Sequence, residues 1–142
     1  MSVYSIFDIA DWFLNKPPMS HKKLQKLCYF TYAWYYALNN KPLFDADFVA
    51  WIHGPVNREL YNELKTYAPL AKLNIRFADV KSIDETTNDF LERIWETYSE
   101  FSAFQLEDIA KYEMPFKNAY KPGEINIISI QDMKEYYLSI KD

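Results

Sequence analysis

The chain has 142 residues, of which 49% are hydrophobic and 18% aromatic, and its formal net charge is -4. That length and apolar content predict one core in one domain over residues 1–142 and exclude an intrinsically disordered chain. The acidic balance argues against a nucleic-acid partner, whose phosphates call for clustered Lys and Arg, and the single cysteine, Cys28, excludes an intrachain disulfide. Residues 1–13 lack the basic stretch and pure apolar run of a signal peptide, and no apolar run is long enough to span a bilayer, so the expected compartment is the cytoplasm.

Ile6, Ile9, Ala10 and Phe13 recur at helical spacing, which predicts a short amphipathic helix over residues 5–14, stopped by Pro17-Pro18. Ser20 suits the N-cap of a helix over residues 21–39. Leu24, Leu27, Thr31, Trp34 and Leu38 form one stripe on it, and Tyr29, Tyr32 and Tyr36 a second. A helix apolar on more than one face is surrounded by others, so this is read as the central helix. Asn39-Asn40-Lys41-Pro42 closes it.

Phe48-Val49-Ala50-Trp51-Ile52 reads as a buried strand, and His53-Gly54-Pro55 as the turn out of it. Val56, Leu60, Tyr61 and Leu64 predict a helix over 56–67 with Pro55 in its first turn. Residues 69–81 fit either a loop or, at 74–80, a strand. Ser82-Ile83-Asp84-Glu85 and Ser102-Ala103-Phe104-Gln105 both match the capping box, in which serine and the acid or amide each satisfy a free backbone donor. They predict helices through Phe101 and Tyr112. Residues 125–128 suit a short strand, and Ser129 opens a last helix to about Ile140. The fold class is therefore mainly α: a helical bundle around the helix at 21–39, with a minor antiparallel strand element.

Little in the chain is built for bond-making chemistry. Two histidines, His21 and His53, with Cys28 are too few and too scattered for a four-ligand zinc site, so no metal and no cofactor are expected. Two glycines exclude a phosphate-cradling glycine loop, and no nucleophile elbow is present. No catalytic residue is assigned; an enzyme using His53 and nearby carboxylates is the least favoured reading. Basic residues do cluster, at Lys16, Lys22, Lys23 and Lys26, around the start of the central helix. Such a cluster is either an ordinary solvated face or a contact surface for an acidic partner or for a nucleotide-like group.

The block Lys23-Leu24-Gln25-Lys26-Leu27-Cys28-Tyr29-Phe30 resembles the Lys-Leu-x-Lys-Leu-x-Tyr-Phe signature of the SocA-like Panacea antitoxin domain, also found in phage-associated GepA-like proteins. Trp34, the run Trp51-Ile52-His53-Gly54-Pro55-Val56, and Leu60-Tyr61 continue the resemblance. Ala110-Lys111 stands where the family commonly has Thr-His, and Phe116 where it has Trp, so roles carried by that His or Trp do not transfer. The resemblance implies an antitoxin that neutralises a cognate protein toxin by direct binding. Its alternatives are an adaptor delivering a partner to a protease and a regulatory protein of phage or prophage origin. Lys22, Lys23, Lys26 and Tyr35 are the expected partner contacts; Lys23, Leu24, Lys26, Leu27, Tyr29, Phe30, Trp34, Trp51, His53, Gly54, Pro55, Val56, Leu60 and Tyr61 are expected to be mainly structural.

Overall fold

The computed structural model describes residues 4–141. Its first elements are β1 (Tyr4–Ser5), α1 (Ile6–Leu14) and the central α2 (His21–Asn39). The short strands β2 (Phe44–Asp45), β3 (Val49–Trp51) and β4 (Gly54–Val56) lead into α3 (Arg58–Leu64) and, after a long loop, α4 (Glu85–Tyr98). Then come α5 (Ala103–Tyr112), α6 (Met114–Ala119), β5 (Asn126–Ile127) and α7 (Ile130–Ile140). Seven helices among the described residues make the fold mainly α.

Helix α2 lies at the centre because it has apolar residues on nearly every face. Ser20 accepts a hydrogen bond from the Lys23 amide at 3.1 Å and starts the helix; Asn40, in the left-handed region at φ 54°, stops it. Leu24, Leu27, Cys28, Tyr29, Phe30 and Ala33 are fully buried. Each large apolar side chain so removed from water contributes roughly 1.5–3 kcal/mol. Helix α7 packs along α2 more extensively than any other element, with α5, α4, α1 and α3 completing the shell. Trp34 is half-buried, its ring 4.7 Å from Tyr137 and its indole N–H donating to the Tyr98 hydroxyl at 2.7 Å. Farther along the stripe, Leu38 is exposed.

The strand order β4-β3-β5 is the expected antiparallel element, with Val49 opposite Val56 on one side and Ile127 on the other. Several boundaries differ from expectation, among them the end of α4, at Tyr98 and not Phe101. Pro55 does not start a helix: it sits in β4, opposite Ala50, on an edge strand where its missing N–H breaks no ladder. Asn57 caps α3 instead, accepting from the Leu60 amide at 2.9 Å, so that helix begins at Arg58 and ends at Leu64. Helix α4 is capped by Asp84, not Ser82; Asp84 accepts from the Thr87 amide at 2.8 Å and from the Tyr4 hydroxyl at 2.6 Å. A carboxylate at that end also meets the positive pole of the helix.

Residues 74–80 form no strand. Their polar groups are claimed by carboxylates on α1: Asp11 accepts from the Phe77 amide at 3.0 Å and pairs with Arg76, while Asp8 accepts from the Lys81 amide at 2.7 Å. The Arg76 guanidinium, helped by the Phe77 amide, holds the Asp11 carboxyl below its ordinary range although burial opposes this. Three further elements were not anticipated. Helix α6 is too short to show periodicity, and β1 and β2 are joined by two-residue parallel pairing of Tyr4 with Phe44 and Ser5 with Asp45.

Between α6 and α7, burial pushes the Glu113 carboxyl up to about 7, and the Tyr137 hydroxyl donates to it. From about pH 4.5 to 7 the folded chain therefore holds a proton that the unfolded chain has released, so this group's contribution to stability is lost as pH rises through that window. Glu113→Gln should remove that loss. Urea midpoints measured at pH 5 and pH 8 should show the substitution more stabilising, relative to the parent chain, at pH 8; an equal effect at both pH values would contradict the burial argument.

Candidate functional site: a lysine-edged groove beside the β3–β4 turn

Lys26 projects from α2 towards the β3–β4 turn and is 1% exposed. Its amine donates to the Pro55 carbonyl at 3.1 Å. Beside it, Gln25 and Asn57 exchange two hydrogen bonds of 2.9 Å, side-chain amide to backbone in both directions. Two consecutive residues of α2 thus satisfy the polar backbone of the turn. Gly54 is required here twice over: its φ is +98°, and a Cβ at this position would stand 3.0 Å from Lys26 Cε and 3.5 Å from Glu107 Cγ.

Glu107, on α5, sits among three lysines. Lys22 lies 2.5 Å from one of its carboxylate oxygens and Lys111 3.5 Å from the other, while Lys111 also donates to the Ile52 carbonyl at 2.8 Å. Burial works against ionisation of Glu107, but Lys22, Lys111 and Lys26 outweigh it and hold the carboxyl below its ordinary range. Burial has the opposite outcome for Lys26: it pulls the amine down to about 7, with Glu107 partly restoring the charge and Lys22 and Lys111 opposing it.

Above this layer lies a groove of about 330 Å³, whose walls include Trp51, Val56, Tyr61, Leu70 and Phe104, with Lys22, Lys26 and His53 along one side. Trp51 and Tyr61 meet edge to face at 5.2 Å. Phe104 is 55% exposed and Leu70 53% exposed. These two residues also border a second hollow of about 500 Å³, which contains Lys23, Trp95 and Ser102.

The basic cluster at the start of α2 divides between different surroundings. Lys16 pairs with Glu92 at 2.7 Å, and Lys23 donates to the Ser99 carbonyl at 2.7 Å. Lys22 reaches the groove, its ammonium 4.3 Å from the Phe104 ring centre. Lys26 corrects the expectation of a surface contact: it is interior, because its partner is a backbone carbonyl under the turn. Tyr35 is thirteen residues beyond Lys22, about 20 Å along the axis at 1.5 Å per residue, and packs edge to face against Phe90.

Of the remaining motif residues, Leu24, Leu27, Tyr29, Phe30 and Leu60 lie in the core. His53 differs. Its side chain is 71% exposed and its ring nitrogen stands 3.9 Å from Glu107. Cys28 is fully buried and its thiol pushed well above its ordinary range, which leaves no thiolate for nucleophilic attack. Among the described residues no group of three or more His, Cys, Asp or Glu side chains is placed to hold a metal ion, and no helix is long and apolar enough to cross a membrane. Phe104 and Leu70, which reach the groove, and Glu107, which lies beneath it, were missed by sequence reasoning because they come from distant segments. The one available signal was Lys111, where the sequence departs from the pattern it resembles; its amine donates to the Ile52 carbonyl and stands 3.5 Å from Glu107.

The family described as "Antitoxin SocA-like, Panacea domain" matches residues 24–117, and the chain belongs to that family. No curated protein and no solved structure matches it.

Gly54→Ala should destabilise the chain by about 1–3 kcal/mol, the cost of holding a non-glycine residue in so sparsely populated a conformation, with added crowding of Lys26. Chemical denaturation would measure the loss. An unchanged midpoint would show that the turn does not depend on the approach of Lys26.

Proposed function

We propose that this chain is an antitoxin that neutralises a cognate protein toxin by direct binding, and that the groove and the ridge formed by Leu70 and Phe104 are its contact face. The observation that carries the reading is the match of residues 24–117 to an antitoxin family. The location is argued from the surface. Phe104 and Leu70 are large apolar side chains left in solvent beside half-buried Trp51 and Tyr61. Apolar patches rimmed by charge are characteristic of protein contact sites, and a few aromatic anchors supply most of the energy at such sites. The proposed face keeps Lys22 and Lys23 as contacts, uses Lys26 as support from beneath the turn, and leaves out Tyr35.

Expression of the neighbouring gene's product alone should arrest growth, and co-expression of this chain should restore it through a complex that survives purification. Phe104→Asp, an exposed position where the fold tolerates change, should weaken that complex at least tenfold, the equivalent of about 1.4 kcal/mol. If no flanking gene product is toxic or forms a complex, the antitoxin reading fails. If the partner is lost only because its half-life shortens, the chain is an adaptor for proteolysis.

A further inference from the structure

Lys22, Lys26 and Lys111 surround a single carboxylate, Glu107, so this corner of an acidic protein carries an excess of positive charge. The excess faces an apolar hollow. Lys22 already lies over the Phe104 ring, so cation and apolar wall are presented together. At about 330 Å³ the hollow is near the lower end of ligand-sized pockets, roughly 300–1,000 Å³, and accommodates one or two side chains, not a broad surface. The helix start next to it offers little to a phosphate, because Asn57 already satisfies the Leu60 amide.

We propose that the groove captures an acidic peptide segment of a protein partner, taking a side-chain carboxylate against Lys22 and a neighbouring large apolar side chain against Trp51 and Phe104. The proposal rests on the antitoxin reading only in assigning the segment to a protein partner. The carboxylate balances charge that Glu107 leaves uncompensated, and the apolar neighbour covers ring surface now in solvent. Lys26, beneath the turn, adds to the attraction without contacting the segment, and a carboxylate bound above it favours its protonated form.

The test is an NMR titration of the full chain with a blocked tripeptide of leucine, phenylalanine and glutamate, with its glutamine counterpart, and with adenosine monophosphate. The glutamate peptide should bind about tenfold tighter than the glutamine peptide, within the range that charge complementarity commonly supplies. It should shift the Trp51 indole signal and the Lys22 and Phe104 amides. Lys22→Met should erase the preference while leaving the rest of the amide spectrum in place; Lys111→Met is the substitute if Lys22→Met disturbs the fold. Equal affinity for the two peptides, shifts confined to another face, no binding at millimolar peptide, or tighter binding of the nucleotide would overturn the proposal. A preserved glutamate preference in a chain that neutralises no toxin would sink the antitoxin reading alone. Neutralisation without any glutamate preference would sink this proposal alone.

Discussion

A lysine amine held almost out of water under a peptide carbonyl is costly, and the region around the β3–β4 turn is arranged to make that cost tolerable. Lys26 is 1% exposed, it donates to the Pro55 carbonyl, and Glu107 stands near enough to offset part of its lost hydration. An uncompensated buried charge is among the most destabilising features a fold can carry. The turn accordingly has a glycine where any Cβ would crowd the lysine, and α5 has a carboxylate at the facing position. With the turn fixed to α2 in this way, Trp51 and Tyr61 are set against each other and the groove takes its shape. Core formation and the proposed binding surface thus share one junction.

The matched family segment, residues 24–117, does not include α1 or α7, yet both cover α2. Trp34 illustrates why this matters: one of its ring neighbours is Tyr137, in α7. The segment and its flanking helices bury a common set of side chains from Tyr4 to Tyr137. The face proposed for binding lies on the opposite kind of surface, one where aromatic rings stay partly in water and the charged groups around them are only partly balanced.

Helices were legible in the sequence wherever a serine cap preceded an apolar period. Ser20, Ser102 and Ser129 each cap the helix expected of them, and Ser5 caps α1 with Asp8. Where two residues competed, local pattern was not enough: Asp84 prevails over Ser82 because Tyr4, eighty positions earlier, donates to it. The alternation at 74–80 is real, but the Phe77 amide goes to Asp11 and the amide of Lys81, just beyond it, to Asp8, which only the folded arrangement brings close. The groove was legible in half. Lys22, Trp51, His53 and Tyr61 stand within or beside motif blocks, whereas Phe104 stands in a capping box that signals only a helix start, and Glu107 and Leu70 carry no motif of their own. Lys26 stood both among the expected contacts and among the structural motif residues, and nothing local decides between the two, because the carbonyl it meets beneath the turn comes from a distant segment.

The claim on which this account turns is that the Lys26 amine is buried against the Pro55 carbonyl. Following the Lys26 side-chain carbon resonance through a pH titration tests it directly. A midpoint at about 7 is the predicted result. A midpoint at the ordinary lysine value, near 10.5, would show that the amine reaches water and that the junction is not built as described.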